Sequence, residues 1–432
     1  MTLTIHRGNQ IGGCIAEIYT DTSRVFIDMG QNLPGHAEKT TFKQDQNMVN
    51  GFFKANKREH EAVVYTHAHE DHVGLFRLVP ENIPQYISEG GQKILLGKQN
   101  LLFKNHLHDV KKVLSMKLEW LKYLNRLKYN RQSIARINRF HTWKRTEVGE
   151  EPVSLQIGNI RLTPFYCSHS IYDAYMFLIE ADGKRIWYTG DYRIHGYVGK
   201  DLFERLSTYA KDIDILVTEG TMLGRTDECI QEEEISKQMT EVMRKYKYVF
   251  VLASSTDMER QASIQNAAYN AGKDLMVGSD LMASMMNIFT KCEGKNNNKL
   301  FYFNYKRYCT ASFPSMRENG FVLDLGASQI EVAKELLPKL DAQKTILIYS
   351  SWDGYYKLPE QVEINPKYKE FRELFTNVVD IHTSGHADCQ TIEKVITIVN
   401  PKETIIGIHK EPNTSLKSLN LPKELMEKIQ EL

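Results

Sequence analysis

The feature that most constrains this chain is a cluster of four ligand-type side chains within six residues. The side chains are those of His67, His69, Asp71 and His72, and the short apolar run Ala62–Tyr65 directly precedes them. Burying so many imidazoles and carboxylates without partners would cost several kcal/mol, so an ordinary core is a poor explanation. Imidazole and carboxylate together suit zinc, with manganese or iron as alternatives. The cluster therefore predicts a metal site at the end of a strand.

Three later residues follow short β-rich segments in the same way, namely His169, Asp191 and His409. Loops at strand ends are where α/β folds commonly bring functional side chains together. Near the start of the chain, the pattern also predicts strands at Cys14–Tyr19 and Arg24–Asp28. Taken in order with the cluster, these strand-end residues indicate a metal centre built from distant parts of the chain.

Composition narrows the class of protein. The 432 residues include 55 Lys+Arg and 54 Asp+Glu, with 42% hydrophobic and 25% charged residues, which is typical of a globular chain rather than a disordered or collagen-like one. No apolar run reaches the ~18 residues of a membrane span. The polar N-terminal segment does not resemble a signal peptide. The six cysteines are widely spaced, unlike a disulfide framework or a zinc finger. We therefore expect a cytoplasmic protein with no membrane partner.

The organisation of the chain changes after about residue 222. A strand at Tyr248–Ala253, a helix from about Met258 to Ala271 and a strand at Leu275–Val277 form a predicted βαβ unit. Strands that end in histidine return at about residue 376. We predict one domain from residues 1–221 and 377–432, with a second α/β domain, 222–376, inserted into it.

A basic segment, residues 98–145, stands apart in charge. It contains thirteen Lys or Arg and two acidic residues, a formal net charge of +11, and its leucines have helical spacing. One interpretation is a solvated helical hairpin inserted in the first domain. The other is a surface that contacts a phosphate backbone. The candidate contacts for that surface are Lys111, Lys112, Lys117 and Lys122.

Three further motifs make a family resemblance specific. Glu219 lies in VTEGT, His386 in TSGHA and His409 in IHKE. Together with the histidine cluster, these motifs resemble the metallo-β-lactamase superfamily. Within it they resemble the β-CASP nucleic-acid-processing nucleases, a group that includes ribonuclease J and the endonuclease subunit of the pre-mRNA cleavage machinery. The segment 254–261 also resembles the strand-to-helix turn of a β-CASP domain. The resemblance implies an αββα sandwich with an inserted β-CASP α/β domain, and an active site in the cleft between them.

The resemblance also implies a centre of two divalent metal ions, Zn²⁺ first and Mn²⁺ as the alternative. The implied ligands are His67, His69 and His169 for one ion, Asp71, His72 and His409 for the other, and Asp191 as a bridge. Two such ions activate a shared water and stabilise both the entering and the leaving oxygen of a phosphodiester.

Roles for the remaining motif residues follow from the same resemblance. A metal-bound hydroxide would attack phosphorus, with Asp71 orienting it or taking its proton. His386 would be the general acid and Glu219 would orient or charge-tune its imidazole. His382, Ser384 and Gly385, with His386 itself, would line the pocket for a neighbouring phosphate.

The expected function is therefore the hydrolysis of single-stranded RNA. Two enzymatic alternatives remain open, namely a DNA nuclease and a hydrolase of small esters or thioesters on the same metal core. A non-catalytic scaffold that binds nucleic acid is an alternative of a different class. The sequence leaves open whether cuts are internal or terminal, which metal is used, and how many subunits associate.

Overall fold

The computed structural model describes the 432 residues except 37–38, 113–116, 147–149, 226–228 and 294–298, together with the side chains of 109–112 and 117–120. The strands in the described part of the chain are β1 (Thr2–Arg7), β2 (Ile15–Tyr19), β3 (Ser23–Ile27), β4 (His60–Val64), β5 (Gln85–Ser88), β6 (His141–Trp143), β7 (Leu155–Ile157), β8 (Ile160–Cys167), β9 (Ala174–Ala181), β10 (Lys184–Tyr188), β11 (Ile215–Glu219), β12 (Tyr248–Ala253), β13 (Leu275–Val277), β14 (Lys306–Arg307), β15 (Phe321–Leu325), β16 (Thr345–Ser350), β17 (Val378–Asp380), β18 (Thr404–Ile408) and β19 (Ile429–Gln430).

The α-helices in the same residues are α1 (Phe42–Lys54), α2 (Glu70–Val73), α3 (Glu89–Lys112), α4 (Lys117–Ile137), α5 (Leu202–Tyr209), α6 (Glu232–Lys245), α7 (Met258–Asn270), α8 (Asp280–Glu293), α9 (Phe313–Asn319), α10 (Ile330–Leu336), α11 (Gly354–Lys357), α12 (Pro359–Ile364), α13 (Lys367–Glu373), α14 (Cys389–Val399) and α15 (Lys423–Met426). Short 3₁₀ turns lie at Lys299–Phe301, Thr310–Ser312, Ala327–Gln329, Leu337–Lys339, Ala342–Lys344 and Leu416–Ser418.

The chain divides into two compact units. The first contains Met1–Ile194, Val198–Asp227 and His386–Leu432, and the second contains His195–Tyr197 and Glu228–Gly385. The first unit holds two sheets. Within the described residues, one sheet has the order β1-β2-β3-β4-β5-β6 and the other has the order β19-β18-β11-β10-β9-β8-β7.

The two sheets of the first unit share one apolar core. Alternate residues of each strand enter it, for example Val25 and Ile27 of β3 and Phe177 and Ile179 of β9, as expected for strands whose side chains point to opposite faces in turn. The far face of the second sheet packs against α5 and α14 through a core that includes Trp187.

The far face of the first sheet packs against α1, where Phe26 contacts the rings of Phe52 and Phe53. A capping box at Thr41 and Gln44 fixes the start of this helix. The layers are therefore helix, sheet, sheet, helix. The predicted α/β class is confirmed, with the layering of a metallo-β-lactamase sandwich.

Strand direction determines where this unit can build a site. β3 and β4 run parallel, and so do β10, β11 and β18. Because the carboxyl ends of parallel strands meet at one edge of a sheet, residues that follow these strands come together. The segment after β4 contains the histidine cluster, and β11 and β18 end at Glu219 and directly before His409.

The second unit is built on a parallel sheet. Its described strands have the order β14-β13-β15-β12-β16-β17. β12 pairs in parallel with β15 on one side and β16 on the other, and all six of its residues are buried. A strand buried on both faces needs a continuous apolar run rather than alternation, which is why YVFVLA forms one.

The basic segment forms two long helices, α3 and α4. Asn130 on α4 joins them, since its Oδ1 lies 2.7 Å from His106 Nδ1 and its Nδ2 donates to Gln99 Oε1 at 2.9 Å. Among the helices that the structure describes, none is both long and apolar enough to cross a lipid bilayer.

Candidate metal centre

Three imidazoles converge on one point at the edge of the first sheet. His67 and His69 follow β4, and His169 follows β8. The Nδ1 atom of His69 lies 3.1 Å from Nε2 of His67 and 3.1 Å from Nε2 of His169. We call His67, His69 and His169 the first cluster.

The electrostatics of the first cluster suit a cation. Burial, with the neighbouring imidazoles, holds the pKa of His67 well below its ordinary value. Burial likewise lowers the pKa of His69 to about 3. Both rings are therefore neutral at physiological pH, and His67 Nδ1, 3.0 Å from the hydroxyl of Thr66, can donate its proton there. Its Nε2 lone pair then faces the other rings, an arrangement that a bound cation would stabilise.

Two imidazoles and two carboxylates form a second cluster, which we define as Asp71, His72, Asp191 and His409. Their ligand atoms all lie within 4.8 Å of one another. His409 Nε2 is 3.1 Å from Asp71 Oδ2, and His72 Nε2 is 3.1 Å from Asp191 Oδ2. The four side chains are buried, so this is a concentrated set of charges in a site with little solvent.

Asp191 of the second cluster also lies close to the first cluster. Its Oδ2 atom is 4.0 Å from His67 Nε2 and 3.8 Å from His169 Nε2, in addition to its contact with His72. Its Oδ1 atom is buried and has no hydrogen-bond partner among the described residues. A buried carboxylate oxygen without a partner is costly, and a metal ion between the clusters would satisfy it. The residues present therefore fit a two-ion centre.

The imidazoles of the second cluster hold their protons more tightly than those of the first. Burial would lower the pKa of His72, but the charges of Asp191, Asp28 and Asp71 outweigh it and raise that pKa well above the ordinary value. The pKa of His409 is also raised, because Asp191 and Asp71 outweigh burial. Without metal the cluster is held by charged pairs, and a cation would replace the protons.

Sequence reasoning missed the carboxylate that orients His72. Asp28 Oδ2 lies 2.8 Å from His72 Nδ1, and Asp28 Oδ1 accepts a hydrogen bond from the backbone N–H of Thr66 at 2.7 Å. The imidazole therefore presents Nε2 to the cluster. Asp28 was predicted as the last residue of a strand, but β3 ends at Ile27 and Asp28 turns the chain with φ of 63°. The sequence did offer one signal for Asp28, because it is a carboxylate at the predicted end of a strand. The structure shows that this strand, β3, pairs with β4.

A carboxylate–imidazole pair lies beside the second cluster. Glu219 Oε2 is 2.8 Å from His386 Nδ1, and Glu219 Oε1 accepts from the backbone N–H of Tyr192 at 2.8 Å. Glu219 is fully buried, whereas the side chain of His386 is 20% exposed. Thr221, which no motif singled out, has its hydroxyl 3.1 Å from His386 Nδ1 and 2.8 Å from His409 Nδ1. His386 is thus fixed through Nδ1 and reaches solvent.

Of the other predicted binding residues, three belong to the second unit and four are lysines of the basic segment. His382 belongs to the second unit, where its Nδ1 is 3.1 Å from Arg260 Nη1. Ser384 and Gly385 also belong to that unit, and the Ser384 carbonyl lies 2.6 Å from His195 Nε2. Lys122 is exposed on α4, whereas the side chains of Lys111, Lys112 and Lys117 lie outside the described residues.

Which metal ion each of the seven predicted ligands binds stays a prediction. The structure does bring the seven side chains together in two adjacent clusters. An α/β sandwich that places a three-histidine cluster beside a cluster of two histidines and two aspartates is typical of metal-dependent hydrolases. Comparison with known families agrees, since residues 40–245 match the family described as the beta-lactamase superfamily domain.

One solved structure shares the fold over the whole chain. It is titled "Crystal Structure of a Protein of Unknown Function from Enterococcus faecalis V583", and it aligns with a TM-score of 0.70 and 16% identity. The alignment covers 100% of this chain and 97% of that one. The curated proteins contain no match. This likeness concerns the fold, so the substrate has to be argued from the site.

Proposed function

We propose that this protein is a metal-dependent phosphodiesterase that cleaves single-stranded RNA, with the second unit acting as a β-CASP domain. The observation that carries the proposal is the Glu219–His386 pair beside the two clusters. Metal clusters alone serve many hydrolases, but a partly exposed imidazole held by a buried carboxylate adds a proton donor for a leaving group.

Divalent ions bound by the two clusters would supply Lewis-acid chemistry, lowering the pKa of water and offsetting charge on a phosphodiester. Asp71 would orient the attacking water or accept its proton. In support, its carboxylate lies 3.1 Å from His409 in the second cluster, and only about a tenth of its side chain is exposed. Burial of this carboxylate is outweighed by His72 and His409, which hold its pKa below the ordinary range. Asp71 is therefore ionised at physiological pH.

His386 would protonate the leaving oxygen through Nε2. Its Nδ1 lies 2.8 Å from Glu219 Oε2, and this contact fixes the orientation of the ring. The second oxygen of Glu219 is fixed by the Tyr192 backbone, so the carboxylate cannot rotate away. The exposure of His386 gives a bound substrate access to the ring.

The preference for a nucleic acid rests on the helix α4. Its described side chains include four exposed cations, and the chain has no acidic residue between Glu119 and Glu147. Tyr129 is exposed on the same helix, with the guanidinium of Arg77 over its ring at 3.4 Å. Cations next to exposed aromatic rings suit single strands, which offer both phosphates and unstacked bases. The exposed cations are Lys122, Arg126, Lys128 and Arg131.

The assignment of the second unit as a β-CASP domain is supported by its local geometry. β12 ends at Ala253, and α7 begins at Met258 with Asp257 as its N-cap, so the segment that resembles the β-CASP motif forms a strand-to-helix turn. Arg260 in that turn pairs with Glu232 at 2.9 Å, both fully buried, which holds α6 and α7 together.

Cleavage of 5′- and 3′-labelled single-stranded RNA, beside DNA of the same sequence, tests the proposal. Metal content is measured on the same sample, and the double variant Asp71→Ala/His72→Ala is the control. We expect the protein to bind two metal ions per chain and to cleave RNA. We expect no cleavage by the control. The pattern of labelled products then separates internal cuts from trimming at an end.

Other outcomes point to the alternatives. DNA cleaved in preference to RNA would replace the substrate assignment. Hydrolysis of a bis-aryl phosphodiester dye without cleavage of either polymer would support a small-molecule hydrolase. Metal-free protein that binds RNA as tightly as the metal-loaded form, without cleavage, would indicate a binding scaffold.

A further inference from the structure

A cysteine that sequence reasoning set aside lies against the second cluster. Cys14 precedes β2, and its side chain is fully buried. Its backbone N–H donates to the carbonyl of Asp71 at 3.1 Å, and its own carbonyl accepts from the N–H of Gly30 at 3.0 Å. Cys14 is therefore fixed to the loop that carries a predicted metal ligand.

This close approach of three chain segments depends on glycine. A Cβ atom at Gly30 would lie 1.8 Å from the carbonyl oxygen of Asp71 and 2.7 Å from the backbone nitrogen of Cys14. Any larger residue at position 30 would separate these segments. The local packing thus holds the Cys14 side chain at a set place beside the second cluster.

The thiol is within ligand range of two imidazoles. Ligand atoms of Cys14, His72 and His409 all lie within 4.8 Å of one another. A zinc ion binds sulfur at about 2.3 Å and nitrogen at about 2.0–2.1 Å, so two of its ligand atoms lie about 3.5 Å apart. Small movements on metal binding would therefore bring the three atoms to one ion.

The surroundings of the thiol keep it protonated in the absence of a cation. Burial first, and then the charges of four carboxylates, raise the pKa of the Cys14 thiol well above its ordinary value; the carboxylates are those of Asp191, Asp28, Asp71 and Glu219. A cation bound by the neighbouring carboxylates and imidazoles would offset these negative charges and favour the thiolate.

We propose that Cys14 is a thiolate ligand of the ion in the second cluster, and that it biases this cluster toward zinc over manganese. The thiol proton leaves to solvent as the sulfur–metal bond forms, so the charge of the ion is partly balanced. Thiolate is a soft ligand that suits zinc, whereas manganese prefers carboxylate and water. This inference rests on the metal binding in the proposed function but not on RNA as the substrate.

Cobalt(II) substitution tests the proposal in the intact protein. Thiolate bound to Co²⁺ gives a near-ultraviolet charge-transfer band that nitrogen and oxygen ligands do not give. We expect this band when two Co²⁺ ions are bound, and its loss in Cys14→Ser. Two matched controls keep the band, namely Cys167→Ser, a buried thiol that donates to the Asp191 carbonyl at 3.6 Å, and Cys309→Ser, an exposed one.

X-ray absorption of the unmodified zinc protein gives a second readout that does not depend on the variant folding. Zinc–sulfur scattering at about 2.3 Å is expected. In Cys14→Ser the second zinc ion should bind at least about tenfold more weakly, while the affinity for Mn²⁺ changes less. A fully loaded wild-type protein without the band or the scattering overturns the assignment, as does a band lost only in Cys167→Ser.

The two proposals fail in different ways. A thiolate band in a protein that cleaves no RNA leaves the ligand assignment intact and overturns the substrate. RNA cleavage by a two-metal protein without the band leaves the substrate intact and overturns Cys14.

Discussion

Glu219 and His386 lie 167 residues apart in the chain, yet the carboxylate Oε2 and the imidazole Nδ1 are 2.8 Å apart. Glu219 ends β11 in the middle of the second sheet, and His386 precedes α14, which packs on the face of that sheet. The sheet and the helix thus position the imidazole and the carboxylate that orients it. This relationship gives the first of four predictions.

His386→Ala should lower kcat for RNA cleavage by about 10²–10⁴-fold, the usual contribution of general acid catalysis, with two metal ions still bound. Glu219→Gln should lower kcat less, because the amide holds the His386 ring less firmly in its orientation than the carboxylate does at 2.8 Å. Steady-state kinetics and metal analysis measure both effects. His60→Ala, an exposed histidine at the start of β4, is the matched control. Full activity of His386→Ala with both metals bound would refute the role.

Asp28→Asn should weaken metal binding by the second cluster about 10–100-fold without removing a ligand. The reason is the 2.8 Å contact with His72 Nδ1, which an amide does not hold in the required tautomer as a carboxylate does. Competition with a chromophoric chelator measures the affinity. Asp173→Asn, another buried carboxylate, which accepts from the Gly90 N–H at 2.7 Å, is the control and should leave metal binding unchanged. Equal effects of the two substitutions would contradict the assignment.

Acidification should release the metal of the second cluster before that of the first. The pKa values of His72 and His409 are raised, so protons compete for these ligands as soon as the pH falls through those values. The pKa of His67 is lowered and that of His69 is about 3, so these two imidazoles of the first cluster stay deprotonated to much lower pH. The affinity of the second cluster for metal therefore rises with pH. As the pH falls, this cluster loses its metal before the first cluster does.

Metal content after dialysis at a series of pH values measures this order. One ion per chain should remain in the intermediate range, and a His69→Ala variant should retain none there, since its first cluster is broken. Loss of both ions at one pH in the wild-type protein would contradict the separate titration of the two clusters.

Replacing three exposed cations of α4, Lys122, Arg126 and Lys128, by alanine should weaken binding to single-stranded RNA. Each lost phosphate contact should also reduce the slope of log affinity against log salt by about 0.7, because fewer counterions are released. Fluorescence anisotropy at several salt concentrations measures both. The control replaces three exposed lysines of the second unit, Lys334, Lys339 and Lys344. An unchanged slope would contradict the prediction and would indicate that α4 is a solvated surface that does not contact RNA.

The sequence by itself determined the location and the side-chain types of the candidate metal centre. His67, His69, Asp71 and His72 lie so close in the chain that any fold keeps them together, and their types leave little besides metal binding. His169 and His409 could be added because each directly follows an apolar strand, and strand ends can be recognised locally. The α/β class followed from the same local patterns.

Tertiary structure alone decided which single residues complete the site. Asp28 and Cys14 belong to no motif, and both were predicted as strand residues although β2 begins at Ile15 and β3 ends at Ile27. Thr221 lies in the VTEGT motif, but the motif gave it no role. Their roles arise from side chains that meet across two packed sheets, as Asp71 and His409 do over 338 residues. The local periodicity of the sequence predicts which face of a strand is buried. It does not predict which side chain of the opposite sheet a residue contacts, because that depends on strand register, turns and packing together.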